Sequence, residues 1–467
     1  MSAEGAYDLA VLGAGPGGYV AAIRAAQLGQ KVAVIERDLP GGVCLNWGCI
    51  PSKALLTGAE LAESLKAHGA TFGITASGVT FDYAKAIDHS RKVADRLARG
   101  VESLFKKNHV TLVRGRGRLA GPRSIAVSGE SETLVEAAHL LVATGSGELV
   151  PAGVPLEPGR ILTSREALES RSIPPRLVVI GAGAVGLEFA YVYAMYGASV
   201  TVVEMADQVL PGADAEVAQA LQRELRRKKI DVRLGTRFEQ IKTANGIARV
   251  EVRSGDAAAE LEAEQVLVAI GRRPLSREIG LETAGVSLDA RGFVAVDADL
   301  RTSVPSISAI GDVAGPPLLA HKASEEGVHC VERLAGLARP PLDHRKIPAC
   351  IYTQPQVAWI GRTEAEARAE FGDDLLVGRF PFQASGKAVA TTHTAGFVKI
   401  LAEPRYREIV GAHVAGAGAT ELIAEIGLAM TLEATTAEIA GTSHAHPTLS
   451  EAILEAALAA EGRGINF

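Results

Sequence analysis

Twenty-three residues separate Gly13 from Glu36, and twenty-three separate Gly181 from Glu204. Both intervals are filled in the same order. An apolar run (Tyr7–Leu12; Leu177–Ile180) enters a glycine turn, Gly13-Ala14-Gly15-Pro16-Gly17-Gly18 in one copy and Gly181-Ala182-Gly183-Ala184-Val185-Gly186 in the other. A helical stretch follows (Tyr19–Leu28; Leu187–Tyr196) and stops at Gly29 or Gly197. A second apolar run (Lys31–Ile35; Ser199–Val203) then closes on the acid. Each glycine has a reason. Gly13 and Gly181 make the tight turn, Gly15 and Gly183 let a pyrophosphate approach the backbone, and Gly18 and Gly186 let helix pack on strand. The pyrophosphate sits on the free N–H groups of the helix start, and Glu36 or Glu204 accepts from ribose hydroxyls. One such pattern is weak evidence. Two with strand, helix and acid in register predict an α/β chain with two Rossmann-like dinucleotide-binding domains.

Two later runs return toward the nucleotides: His139–Gly145, ending in Thr144-Gly145, and Gln265–Gly271. A third, Ser306–Ile310, ends in Gly311-Asp312, whose acid is either a cofactor ligand or an ordinary loop residue. Short alternating segments between Arg233 and Glu264 suggest an antiparallel insertion, and Leu318–Leu337 has helical period. From about Leu342 the texture changes. Strands (Val377–Phe382, Gly396–Leu401, Ile409–Val414) alternate with helices (Glu364–Ala369, Glu421–Leu432, Leu449–Ala460) and no glycine fingerprint recurs, which predicts a C-terminal α+β domain. The boundaries read as 1–149, 150–275, 276–342 and 343–467.

The 467 residues contain four cysteines, and two fall in Gly41–Lys53 (GGVCLNWGCIPSK). Compartment decides how to read them. The start enters a strand almost at once, without the features of a signal or transit peptide, and no apolar run reaches bilayer length, so a reducing cytoplasm is expected. A net charge of −6 gives no basic field for nucleic acid, and Arg226-Arg227-Lys228-Lys229 reads as a solvated helix end. In such a compartment a close cysteine pair is redox-active or metal-binding rather than structural. A zinc site wants four ligands, whereas Cys330 and Cys350 are single, distant and read as small buried apolar residues. No metal is expected, and redox chemistry is the favoured reading.

With one dinucleotide a flavin and the other a nicotinamide, hydride from the nicotinamide can reduce the flavin and the flavin a Cys44–Cys49 disulfide. Thiolate is the reactive form, favoured by a helix N-terminus or a cation. Cys44 is expected just before a helix carrying Lys53, which supplies both. Thiol exchange also needs an acid/base near neutral pH, for which a histidine held by a carboxylate is suited. The cluster Ser443–Glu451 offers His446 with Glu451; His444 competes and reads rather as a solvent or capping residue.

These motifs together (GAGPGG with Glu36, GGVCLNWGCIPSK, VATG, GAGAVGLEFA with Glu204, AIGD, LLAHKASEEG and HAHPTLSE) resemble the flavoprotein disulfide reductases over essentially the whole chain, and within them the branch that oxidises dihydrolipoamide. The resemblance implies FAD bound by 1–149, NAD by 150–275, a central domain 276–342 completing the FAD site, and dimerisation through 343–467. It implies that Cys49 faces the flavin and Cys44 exchanges with substrate. Lys53 and Glu188 pair beside the flavin, and Asp312 holds the ribityl arm. The turn at Leu319-Ala320 aims a helix start at the flavin ring. Gly271 belongs to the nicotinamide site. His446, oriented by Glu451, serves the other subunit of a homodimer. The implied partner is a lipoylated protein, either the acyltransferase of a 2-oxoacid dehydrogenase complex or the glycine cleavage carrier. Trp47 departs from the family pattern, where a smaller aliphatic is common. Glutathione reductase-like chains need cations for a 2′-phosphate, which Glu204 would repel. Mercuric reductases usually end in a further cysteine pair, and this chain ends Gly464-Ile465-Asn466-Phe467.

Overall fold

The computed structural model describes residues 7–75, 77–129 and 132–467, in two compact units. The first holds residues up to Ala54 with Ile87–Leu149 and Gly271–His344; the second holds Leu55–Ala86, Val150–Ile270 and Arg345–Phe467. Residues 1–6, part of the stretch read for a leader, lie outside the described residues. No described helix is long and apolar enough to cross a membrane.

In the first unit, parallel strands run in the order Thr111–Arg114, Val32–Glu36, Tyr7–Leu12, Thr133–Val142 and Ile307–Ala309. Such strands are buried on both faces, which is why they read as continuous apolar runs rather than alternating ones. Alternation survives in which core each residue joins. Ala10, Leu12, Ala33 and Ile35 enter one cluster, while Leu9, Val11, Val32 and Val34 enter the other. The first half of Thr133–Val142 leaves this sheet to pair antiparallel with Ser124–Ser128. On one face the helix Pro16–Gln27 crosses the helix Ala320–Leu334 at two glycines. A Cβ on Gly17 would lie 2.9 Å from the Ala323 carbonyl oxygen, and one on Gly327 would lie 2.7 Å from that of Gly17.

The second unit repeats the arrangement. Asp231–Arg233, Ser199–Val203, Arg176–Ile180, Gln265–Val268 and Ile161–Leu162 are parallel neighbours in that order. The antiparallel insertion expected after Arg233 is three strands, Thr236–Ala244, Ile247–Ser254 and Ala257–Ala263. The basic run departs in one residue from a solvated helix end. Lys228 closes the helix Ala215–Arg227 with only 14 % of its side chain exposed, because its ammonium pairs with Glu63.

The C-terminal part of this unit is a five-stranded antiparallel sheet. Leu376–Pro381, Phe397–Ala402 and Ile409–Gly416 correspond to the expected strands. Two more, Ala349–Ile351 and Gln356–Gly361, flank Pro355 and lie outside the expected strands; their runs are short and separated by the proline. The helices Ala419–Thr431 and Glu451–Ala460 contribute Ile423, Ile426, Ile453 and Ala457 to the core against this sheet. Within the sheet lies an enclosed charge cluster. The Lys399 ammonium, 1 % exposed, sits 2.6 Å from Asp214 and 3.0 Å from Glu364.

His413, fully buried, places Nε2 2.9 Å from the Arg362 carbonyl oxygen. Burial lowers its pKa to about 4, against a partial pull upward from Asp214. An unfolded histidine titrates near about 6.5, so as pH falls the unfolded chain takes up the proton first. The stability tied to neutral His413 is complete above about pH 6.5 and lost on the way to about 4, roughly 2 kcal/mol of it by pH 5. His139, also lowered to about 4 by burial, titrates the same way. His413→Gln keeps an amide donor for the Arg362 carbonyl. It is expected to show a smaller fall in Tm between pH 7 and pH 5 than the parent, and equal falls would remove His413 from this account.

A candidate redox site

The two glycine turns are near copies. Gly13 and Gly181 both have φ of +106°, and a Cβ would lie 2.5 Å or 2.4 Å from the carbonyl oxygen of Ala143 or Ala269. A Cβ on Gly18 or Gly186 would lie 1.9 Å or 2.0 Å from the carbonyl oxygen of Gly13 or Gly181. The middle glycines differ in kind: a Cβ on Gly15 or Gly183 would meet nothing within 4 Å. Two of the three glycines are thus required by the protein's own packing, and the third leaves open space at a helix start, as an approaching pyrophosphate requires. The residues present fit a dinucleotide at both turns.

The acids do more than the sequence suggests. Glu36 accepts from the Ala14 N–H at 2.7 Å and the Asp38 N–H at 2.9 Å; Glu204 accepts from Ala182 at 2.7 Å and Ala206 at 2.9 Å. Each carboxylate therefore ties the glycine turn to the end of the next strand. The signal was the equal spacing of glycine and acid in the two copies, which one shared hydrogen-bond geometry demands.

The cysteines sit beside the first turn. Gly42 has φ of +57°, and a Cβ there would lie 2.7 Å from Gly15 Cα. Cys44 precedes the helix carrying Lys53, as expected, but not as part of a loop. It lies inside its own short helix, Gly42–Trp47, and Cys49 opens the next, Cys49–Ala67. Gly48 makes the break at φ −152°, ψ −109°. In one unbroken helix, residues five apart point about 140° away from each other, so the break is what brings the sulfurs together. In the structure the two face each other as thiols. Contact with Cys49 pushes the Cys44 thiol pKa up, as does burial, while the Lys53 ammonium pulls it down. Lys53 is one turn beyond Cys49, on the same helix face. Tyr19, whose phenol is raised by burial and then by the Cys44 charge, is a neighbour that sequence reasoning missed.

Around Asp312 the structure adds several residues. Ser146 donates to the Asp312 carboxylate, and Arg272 donates from Nε to the Ser146 hydroxyl at 2.7 Å. Gly311 has φ of +72°, and its N–H donates to Glu326 at 2.7 Å. The Lys322 ammonium, 1 % exposed, donates to the carbonyls of Gly311 at 3.1 Å and Gly315 at 2.8 Å and pairs with Glu326. The turn bearing Asp312 is thus held by the chain's own hydrogen bonds. Leu319 caps the helix that begins at Ala320. The Thr144 hydroxyl donates to the Leu275 carbonyl at 2.8 Å, and Gly145 and Gly271 both have positive φ. Lys53 belongs to the first unit and Glu188 to the second, where Glu188 is buried and accepts from the Tyr352 N–H at 3.1 Å.

His446 and His444 differ sharply. His444 is 4 % exposed, with Nδ1 2.9 Å from the Thr442 carbonyl oxygen and Nε2 2.8 Å from Glu425, so both nitrogens are engaged. His446 places Nδ1 2.8 Å from Glu451, and its side chain is 79 % exposed. Glu451 also accepts from the Thr448 N–H at 2.8 Å, and that bond, with His446, holds its pKa below the usual range. The carboxylate favours the proton on Nδ1 and leaves Nε2 available as a base. Among the described residues no three His, Cys, Asp or Glu side chains gather as metal ligands.

The sequence profile of the pyridine nucleotide-disulphide oxidoreductases matches residues 7–327, and that of their dimerisation domain matches 347–457. The chain belongs to this family. Among curated members of the family, it is 43 % identical over 462 residues to a dihydrolipoyl dehydrogenase of Chlorobaculum parvum, covering 98 % of each chain. It is 44 % identical to that of Zymomonas mobilis, over 99 % of each, and 42 % to the mitochondrial dihydrolipoyl dehydrogenase of Pisum sativum, over 98 % of this chain and 92 % of that one. Among solved members of the family, LpdA of Mycobacterium tuberculosis superposes with a TM-score of 0.90 at 27 % identity, over 96 % of this chain and 98 % of that one. The HOCl-induced flavoprotein disulfide reductase RclA of Escherichia coli superposes at 0.86 and 26 %, over 97 % and 99 %. Oxidoreductases of this family use FAD and NAD, which accounts for two glycine turns in one chain.

Proposed function

We propose that the protein oxidises protein-bound dihydrolipoamide and reduces NAD⁺, with Cys44 and Cys49 as the redox pair. The observation that carries this reading is the contact of the two cysteines across the Gly48 break, against the first glycine turn. FAD, when bound, would supply two-electron chemistry between the cysteine pair and NAD⁺, which is the final acceptor. Gly13, Gly15, Gly18, Glu36, Thr144, Gly145, Asp312, Leu319, Ala320 and Lys53 would hold FAD. Gly181, Gly183, Gly186, Glu204 and Gly271 would hold NAD.

The chain's own residues handle thiols and protons. His446 Nε2 takes the proton from a dihydrolipoamide thiol, and the thiolate attacks the Cys44 sulfur of the disulfide, releasing Cys49 as thiolate. The second substrate thiol passes its proton to the departing Cys44 sulfur as it attacks the mixed disulfide and displaces Cys44. Lipoamide leaves as the cyclic disulfide, and the pair is left reduced. Lys53 favours the thiolate form, and Glu451 keeps His446 in the required tautomer and stabilises the imidazolium. The exposed His446 edge lies in the dimerisation domain, and it completes the site of a second copy in a homodimer. The lipoyl group arrives on another protein, the acyltransferase of a 2-oxoacid dehydrogenase complex or the glycine cleavage carrier. The reaction belongs in the cytoplasm.

Alkylation and peptide mapping test the pair. As isolated in air, Cys44 and Cys49 are expected to resist maleimide, and after NADH both are expected to label. Labelling of Cys44 before reduction would overturn the assignment.

A further inference from the structure

Trp47, which sets this chain apart from the family pattern, lies between the two cysteines. The guanidinium of Arg91 stacks on it, 4.6 Å from the ring centroid. The same group donates from Nη2 to the Asn46 carbonyl at 2.5 Å. Asn46, 1 % exposed, turns its side-chain amide inward toward the carbonyls of Gly42 at 3.0 Å, Pro40 at 3.1 Å and Leu39 at 3.4 Å. Next to Arg91, Ser90 donates to the Pro51 carbonyl at 3.1 Å, just past Cys49. One turn of the helix Tyr83–Lys107 therefore grips the backbone between the cysteines and beyond the second of them.

We propose that Arg91, acting through Trp47 and Asn46, is a positioning residue that sets the balance between the disulfide and dithiol forms of Cys44 and Cys49. Forming the disulfide joins the two sulfurs and sends two electrons and two protons to an oxidant. Once formed, the bond itself restrains the five-residue span, since a disulfide fixes its Cα–Cα distance within narrow limits. In the dithiol nothing covalent does so, and the grip of Arg91 takes its place. Removing the grip frees the dithiol more than the disulfide and shifts the balance toward the dithiol. Freeing the equivalent of one residue's backbone corresponds to roughly tenfold. Arginine suits the task because its planar fork donates to a carbonyl while its charge lies over an indole; lysine has no such fork.

The test uses the FAD-loaded enzyme equilibrated in buffers of reduced and oxidised dithiothreitol. There each disulfide formed in the protein consumes one oxidised dithiothreitol and releases one reduced. The disulfide fraction is read by acid quench, maleimide tagging and mass spectrometry. Arg91→Met and Trp47→Leu are expected to shift the midpoint ratio about tenfold toward the dithiol, Arg91→Lys by most of that, and Arg96→Met, an exposed arginine on the same helix, not at all. Should Arg91→Met fail to retain FAD, Arg91→Lys and Trp47→Leu carry the same reading. Ratios within twofold of the parent in these variants, or an equal shift in Arg96→Met, would overturn the inference. The inference rests on the redox reading of the pair: a parent that forms no disulfide in any buffer overturns that reading and this one with it. A parent that forms it while the variants do not shift overturns this one alone.

Discussion

A His446→Gln enzyme is expected to turn over lipoamide roughly 10² to 10⁴ times more slowly, the range of general acid–base catalysis, while it still binds FAD and accepts electrons from NADH. The split follows from placement. His446 is tied to Glu451 at the start of the helix Glu451–Ala460, far along the chain from both glycine turns. Assembly supplies a sharper experiment. In a heterodimer of Cys44→Ser and His446→Gln subunits, one site carries both lesions and the other neither, if His446 works across the dimer. Activity near half that of the parent is then expected, although each mutant homodimer is nearly inactive. Heterodimers as inactive as both homodimers would assign His446 to its own subunit or to no catalytic part.

NAD⁺ is expected to outperform NADP⁺ in kcat/KM by about a hundredfold or more. Glu204, at the end of Ser199–Val203, is the acid proposed to accept from the ribose hydroxyls; in that role it would meet a 2′-phosphate as a like charge, and close like charges cost several kcal/mol, each 1.4 being tenfold. The structure adds a condition. Both Glu204 oxygens accept backbone N–H groups, from Ala182 and Ala206. Glu204→Gln presents an amide NH₂ to one of them, so it relaxes the preference and weakens NAD⁺ use together. Comparable kcat/KM for the two nucleotides in the parent would overturn the role of Glu204.

What could be read from sequence was what local backbone geometry demands. Gly13, Gly18, Gly181 and Gly186 stand where any Cβ would collide with nearby backbone, so glycine itself is the signal. His446 and Glu451 were legible because a short turn suffices to join them. The unread parts depend on partners far along the chain. Arg91 lies 45 residues beyond Asn46, and Ser146 is 166 residues from Asp312 and 126 from Arg272. No local pattern announces such pairs. The short helix Gly42–Trp47 was not legible because six residues flanked by glycines carry too little helical period to register.

The crossing of Pro16–Gln27 with Ala320–Leu334 bears on how the protein is made. Backbone meets backbone at Gly17 and Gly327, and the strand Ile307–Ala309 joins a sheet begun at Tyr7. The ribosome therefore finishes the first glycine turn long before it supplies the helix that covers it. At 5–20 residues per second the delay is roughly 15 to 60 s. Throughout it a seam of small residues, shaped to fit another backbone, stays without its native partner.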